Sequence, residues 1–223
     1  MNNTKVYHVQ RIKTPLTIDG NWNKKIWESL EHLDISNCNG WEMTFRPKTY
    51  VKLCYDDDQL YLIYKVLDQY VISREREING AVWQDSCVEF FVAPDIQKAR
   101  QYFNLEINAG GIPLMSYQIV PRIESKYLSK NDIQEIKIAN SLSDEIIHEI
   151  QEPTEWTIEV ALPFSILKKH SSISCPSSGV KWFANFYKHA ENNSHPHWLS
   201  WTYIKNSQPD FHLPEFFGEI EFL

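Results

Sequence analysis

A chain of 223 residues is long enough to bury a core of its own without disulfide or metal staples. Its formal net charge of −7 excludes a nucleic-acid binder and a ligand of anionic membranes, since both need a basic face. No apolar run approaches the ~20 residues that span a bilayer, and the opening Met1-Asn2-Asn3-Thr4-Lys5 leads into no apolar leader.

Strand signals dominate the chain. Residues 23–30 are expected to form a short helix with Ile26, Trp27 and Leu30 on one face. Residues 50–55 and 60–66 are β-rich runs on either side of Asp56-Asp57-Asp58-Gln59, the pattern of a hairpin around a polar turn. Residues 86–92 and 102–108 read as a second strand pair, joined through 94–100. Along 122–145 apolar periodicity weakens and Ser, Lys, Asn and Asp accumulate, which reads as a long excursion rather than a domain boundary. A strand over 155–162 ends at Pro163, which opens a short helix to Lys169. Strands over 180–187 and 217–222 close the chain. Many short strands with few helices predict an all-β fold, an antiparallel β-sandwich or jelly roll, with residues 1–223 as one domain. The four cysteines are widely spaced with no CxxC pair, and Cys54 and Cys87 read as buried free thiols.

Side chains alternate faces along a strand. Trp83, Asp85, Cys87, Glu89 and Phe91 share one face, with Val88, Phe90 and Val92 on the core side. Tyr102, Asn104, Glu106 and Asn108 likewise share a face opposite Phe103, Leu105 and Ile107. If the two strands pair, their polar faces merge, and Lys181, Asn185 and Tyr187 can extend the same surface. Such a face is either a solvated outer side or a polar groove whose carboxylates and amides meet hydroxyls. Near the C-terminus His195-Pro196-His197 lacks zincin spacing, so loop structure is favoured over a metal site. Trp198 and Trp201 read as core or ligand contacts. The three aspartates at 56–58 are explained by turn chemistry rather than by calcium.

Trp83-Gln84-Asp85-Ser86-Cys87-Val88-Glu89-Phe90-Phe91 resembles the W-x-x-D-S-V-E-x-F core of the family 9 carbohydrate-binding modules. Leu16-Thr17-Ile18-Asp19-Gly20 with Trp27, the 55–61 and 102–108 segments, Asn185-Phe186-Tyr187, Leu199-Ser200-Trp201 and Phe217-Gly218 resemble other family segments in the same order. The resemblance runs over about residues 16–222 and is closest to the stand-alone family 9-like proteins. It implies a β-sandwich that binds an oligo- or polysaccharide, often at a chain end, between two tryptophans. Carried over, Trp83 and Trp201 would be the stacking walls and Glu89 a hydroxyl acceptor, with Asn108 and Asn185 on the floor and Glu106 and Tyr187 beside them. Glu106 stands where sugar-binding members are expected to carry a basic residue. Some members hold structural calcium, but no ligand set here matches, and nothing calls for another cofactor.

Three readings follow. The first is a non-catalytic sugar binder. The second is a glycoside hydrolase using Asp85 with Glu89, or Glu89 with Glu106, since glycosidases need two carboxyls across the bond. The third is a structural or protein-interaction domain with a decayed sugar site. The sequence leaves the sugar, the oligomeric state and the compartment open. A trimmed leader would place the chain outside the cytoplasm, whereas free thiols suit a reducing interior.

Overall fold

The computed structural model describes residues 5–40, 42–142 and 145–223. The opening Met1–Thr4, and residues 143–144 of the polar stretch, lie outside these. In chain order the strands are β1 (Val6–Arg11), β2 (Leu33–Asp34), β3 (Asn37–Cys38), β4 (Lys48–Tyr55), β5 (Gln59–Asp68), β6 (Val71–Ser73), β7 (Cys87–Ala93) and β8 (Tyr102–Asn108). They continue as β9 (Pro113–Val120), β10 (Glu124–Tyr127), β11 (Lys137–Asn140), β12 (Ile146–Ile150), β13 (Thr154–Pro163), β14 (Lys181–Ala190), β15 (His197–Ser200) and β16 (Gly218–Phe222). Three short helices interrupt them: α1 (Lys25–Glu28), α2 (Lys130–Gln134) and α3 (Phe164–His170).

The strands make a β-sandwich. One layer runs β10-β9-β8-β7-β14-β16-β1, and the other runs β1-β4-β5-β13-β11. β1 belongs to both. Its first four residues pair with β16 and its last two pair with β4, in parallel each time, while the other ladders are antiparallel. The core lies between the layers. Val88, Phe90, Val92, Phe103, Leu105 and Phe186 from the first meet Leu53, Leu62, Tyr64, Trp156, Ile158 and Val160 from the second.

The hairpin of β4 and β5 forms as the sequence predicts. Its turn is held by Asp56, whose Oδ1 accepts from the backbone N–H groups of Asp58 and Gln59 at 2.9 Å. This is the side-chain turn that aspartate favours. Cys54 and Cys87 are buried free thiols. The polar stretch after residue 122 departs from the reading as an excursion, because β10, α2 and β11 lie within it. β10 extends the first layer beyond β9, and β11 then pairs with β13 at the edge of the second. Edge strands bury little, so they carry a weak hydrophobic pattern. No helix among the described residues is long and apolar enough to cross a membrane.

Candidate functional site

The outer face of the first layer carries the candidate site. Glu89 lies directly opposite Glu106 across the β7–β8 ladder, Phe91 opposite Asn104, and Asn104 opposite Ser116 on β9. Tyr102 pairs with Gln118, and on the other flank His189 of β14 pairs with Trp198 of β15. Cross-strand partners share a face, so the sheet sets carboxyl, amide, imidazole and indole groups side by side. Both faces of β7 and β8 are buried. The expected solvated surface is therefore a covered one. The segment 202–217 folds over part of it, where Phe211 stacks on Tyr187 with ring centroids 4.1 Å apart.

Beside that cover lies an open cleft of about 490 Å³. Glu89, Glu106, Asn104 and Gln118 line its base, and Trp83 and Trp198 also border it. Trp83 sits on a 3-10 turn and is 36% exposed. Arg122 enters from the tip of the β9–β10 hairpin in a left-handed conformation, with φ of 60°. Its Nη2 and Nε donate to Asp210 Oδ1 at 2.5 and 3.0 Å.

The base is short of donors. Asn104 Nδ2 donates to Glu106 Oε1 at 2.8 Å, and Asn104 Oδ1 accepts from Ser116 and Gln118. Among the described residues the polar partner of the Glu89 carboxyl is His189 Nδ1, at 3.3 Å without hydrogen-bond alignment. Burial pushes Glu89 up to about 8, against the opposing pull of Lys188 and Arg122. Burial and the neighbouring Glu89 push Glu106 well above the usual carboxylate range. Burial lowers His189 to about 3, so its ring is neutral at pH 7. The acid pair therefore holds a proton at neutral pH, because two adjacent desolvated carboxyls resist ionising together.

Of the residues singled out by sequence, the structure brings Trp83, Glu89 and Glu106 to the cleft. Trp201 does not reach it. That ring is 2% exposed, belongs to the core between the layers and meets Phe186 edge-on at 5.6 Å. It also presses against Gly218, where an added Cβ would come within 2.6 Å of the indole. Trp201 is therefore a packing residue, and Trp198 is the indole at the cleft. The physical reason is parity. Trp198 and Ser200 share one face of the strand, and Leu199 turns to the core.

Asn108, Asn185 and Tyr187 are also absent from the cleft lining. Asn108 Nδ2 donates to Asp85 Oδ2 at 2.9 Å, and that carboxylate also accepts from the Arg74 and Glu75 backbone N–H groups. Asn185 Oδ1 accepts from Thr202 N–H at 3.0 Å, tying down the covering segment. Tyr187 lies beneath Phe211 and donates to its carbonyl at 3.1 Å. Asp85 is thus held by its own loop, which removes the Asp85–Glu89 pair. His197 is fully buried, with Nε2 at 2.8 Å from Lys188 Nζ, and His195 stacks on Tyr70 at 3.6 Å. No group of three or more potential metal-ligating side chains forms among the described residues.

A family model described as carbohydrate-binding family 9 matches residues 24–222. The chain belongs to carbohydrate-binding family 9. Solved structures place this family 9 chain among similar folds. One is a Bacteroides uniformis ATCC 8492 protein assigned as carbohydrate-binding. It is 27% identical with a TM-score of 0.89, covering 99% of this chain and 100% of that one. Family 9 modules from Caldicellulosiruptor kristjanssonii share the fold at greater distance. A complex with cellotriose is 17% identical with a TM-score of 0.66, covering 98% and 93% of the two chains. A complex with glucose is 18% identical with a TM-score of 0.63, covering 98% and 96%. No curated protein matches the sequence.

Sequence reading of this family 9 chain missed Gln118, Arg122, His189 and Asp210 as cleft residues, and left Trp198 open between core and ligand contact. His189 and Trp198 carried a usable signal, since they continue the alternation of Asn185 and Tyr187 and of Ser200. Arg122 and Asp210 lie outside the regular strands, where alternation has no reach.

Proposed function

We propose that this family 9 chain is a non-catalytic carbohydrate-binding module, with residues 1–223 acting as one unit. It holds a sugar ring, at the end of an oligo- or polysaccharide, against Trp83 and Trp198. The observation that carries this reading is the cleft itself, where two indoles border a base of buried carboxyls and amides. Indole faces match the apolar C–H faces of a pyranose, and the polar base matches its hydroxyls. Family membership and the cellotriose- and glucose-bound relatives support the same class of ligand.

Each stacked aromatic contributes about 1 kcal/mol beyond burial. Hydrogen bonds to charged groups add about 1.5–3 kcal/mol each before ordering costs. The sum corresponds to affinities between micromolar and millimolar. Glu89 and Glu106 are immediate cross-strand neighbours on one sheet face, so both carboxyls lie on the same side of anything in the cleft. A hydrolase needs one ionised carboxyl and one protonated carboxyl placed on either side of the scissile bond. The module is therefore expected to release no reducing ends from oligosaccharides.

The test is titration calorimetry against a glycan panel with wild type, Trp83→Ala and Trp198→Ala. Both variants should lose affinity for whichever glycan binds. Unchanged binding in both would sink the indole clamp.

A further inference from the structure

We propose that the cleft is built for an amino sugar, whose protonated amino group sits over Glu89 and Glu106. This rests on the carbohydrate reading above and names the sugar class. It follows first from the balance of donors and acceptors. Gln118 is 5% exposed, its Nε2 is spent on Asn104 and Ser116, and its Oε1 has no partner among the described residues. One N–H of the Asn104 amide is taken by Glu106, and its second N–H is free among the described residues. His189 is 8% exposed, and neither ring nitrogen is hydrogen-bonded among the described residues. The Arg122 guanidinium is engaged by Asp210. The oxygen lone pairs of Glu89, Glu106 and Gln118 at the base thus outnumber its free donors, one N–H each on Asn104 and the neutral His189 ring. A hydroxyl brings one donor and two lone pairs, whereas an ammonium brings three donors and no lone pair.

The charge balance points the same way. Glu89, Glu106, Glu191 and Asp210 border the cleft, against the single guanidinium of Arg122. Lys188 lies on the opposite face of β14, fully buried against Asp68 at 3.3 Å and His197 at 2.8 Å. It is committed to the core and supplies no donor to a ligand. A uronic acid would bring a further negative charge to this surface and is disfavoured.

Binding carries a proton signature. The groups facing the Glu89 carboxyl are Glu106 from β8, His189 and Tyr187 from β14, Arg122 from the hairpin tip and, through the sheet, Lys188. None supplies a full positive charge in contact with it. An arriving ammonium favours the ionised acid pair, so one carboxyl proton leaves to solvent while the ammonium keeps its own.

The experiment is calorimetry at pH 6.5 with matched pairs: glucose and glucosamine, galactose and galactosamine, mannose and mannosamine. N-acetylglucosamine and glucuronate serve as controls, and each titration is repeated in two buffers of different ionisation heat. We expect one amino sugar to bind about tenfold more tightly than its neutral parent, the gain from one charge-assisted contact. Protons should be released on binding. The N-acetylated sugar should lose the advantage, and glucuronate should bind more weakly than glucose. Glu106→Gln, checked for folding by thermal unfolding, should bring the ratio of amino to neutral affinity close to one, and Glu191→Gln should lower it less. Neutral sugars binding as tightly as their amino partners would overturn this inference and leave the carbohydrate reading standing. Absence of binding by every neutral and amino sugar, oligomers included, would overturn both.

Discussion

Glu159 on β13 and Glu89 on β7 are both buried carboxyls on central strands, and their surroundings are opposites. Glu159 collects Lys24 Nζ and Trp27 Nε1 at 2.7 Å and the backbone N–H groups of Asp19 and Gly20 at 2.8 Å. Glu89 has His189 at 3.3 Å and is pushed up to about 8. A buried charge with its donors in place ties chain segments together, here the N-terminal loop and α1 to the second layer. A buried carboxyl without them is costly to ionise. Under the function proposed above, a ligand would supply the donors that Glu89 lacks. The two indoles near the C-terminus differ in the same way. Trp201 is enclosed by the core, and Trp198 faces the cleft.

The comparison breaks most readily at Glu159. Glu159→Ala leaves the Trp27 and Gly20 donors unpaired and is expected to cost about 3–5 kcal/mol of stability by urea unfolding. A loss under ~1 kcal/mol would mean that the closed carboxyl is not structural. Trp201→Phe should cost about 2 kcal/mol through the cavity it leaves, with glycan affinity unchanged. An affinity drop there, in folded protein, would restore Trp201 to the site.

The open carboxyl is tested by pH. With its folded pKa raised to about 8 from 4.5, Glu89 holds a proton that the unfolded chain has given up. Its contribution is full below 4.5 and is lost as pH rises through 8. His189, lowered to about 3 from 6.5, acts oppositely, but only below pH 6.5. Between pH 6.5 and 8 the His189 contribution is complete, and the raised Glu89 should make stability fall by about 1–2 kcal/mol. Glu89→Gln should flatten that slope, and an unaltered slope in Glu89→Gln would show that the carboxyl is not held protonated. The smallest effects belong to ligand stacking. Trp83→Ala and Trp198→Ala should each weaken glycan binding by about 1 kcal/mol, near fivefold, while melting within a few degrees of wild type. If Trp83→Ala were to unfold the protein instead, its indole would belong with Trp201.

The architecture was legible because period-2 alternation is strong wherever one strand face packs into a core. The β4–β5 hairpin and the β7–β8 pair follow from it, and the helix after Pro163 follows from proline at a first helical turn. The same rule placed Glu89 and Glu106 on one surface. It was not carried one residue further at Trp198 and Trp201, where a shift of one position exchanges ligand face and core. β10 and β11 went unread because edge strands bury little. The covering of Tyr187 by Phe211, and the arrival of Arg122 and Asp210, depend on tertiary placement of irregular segments.

The two parallel ladders of β1 have a mechanical consequence. Val6 lies beside Glu219 and Val9 beside Phe222, so Lys5 and Leu223 sit at opposite ends of one strand pair. Tension applied between them drags β1 lengthwise past β16 and strains every rung together, instead of peeling rungs off one after another. A receptor tethered at these points and gripping a fixed polymer would resist force in its most robust direction, and single-molecule pulling from these residues should show one high rupture event.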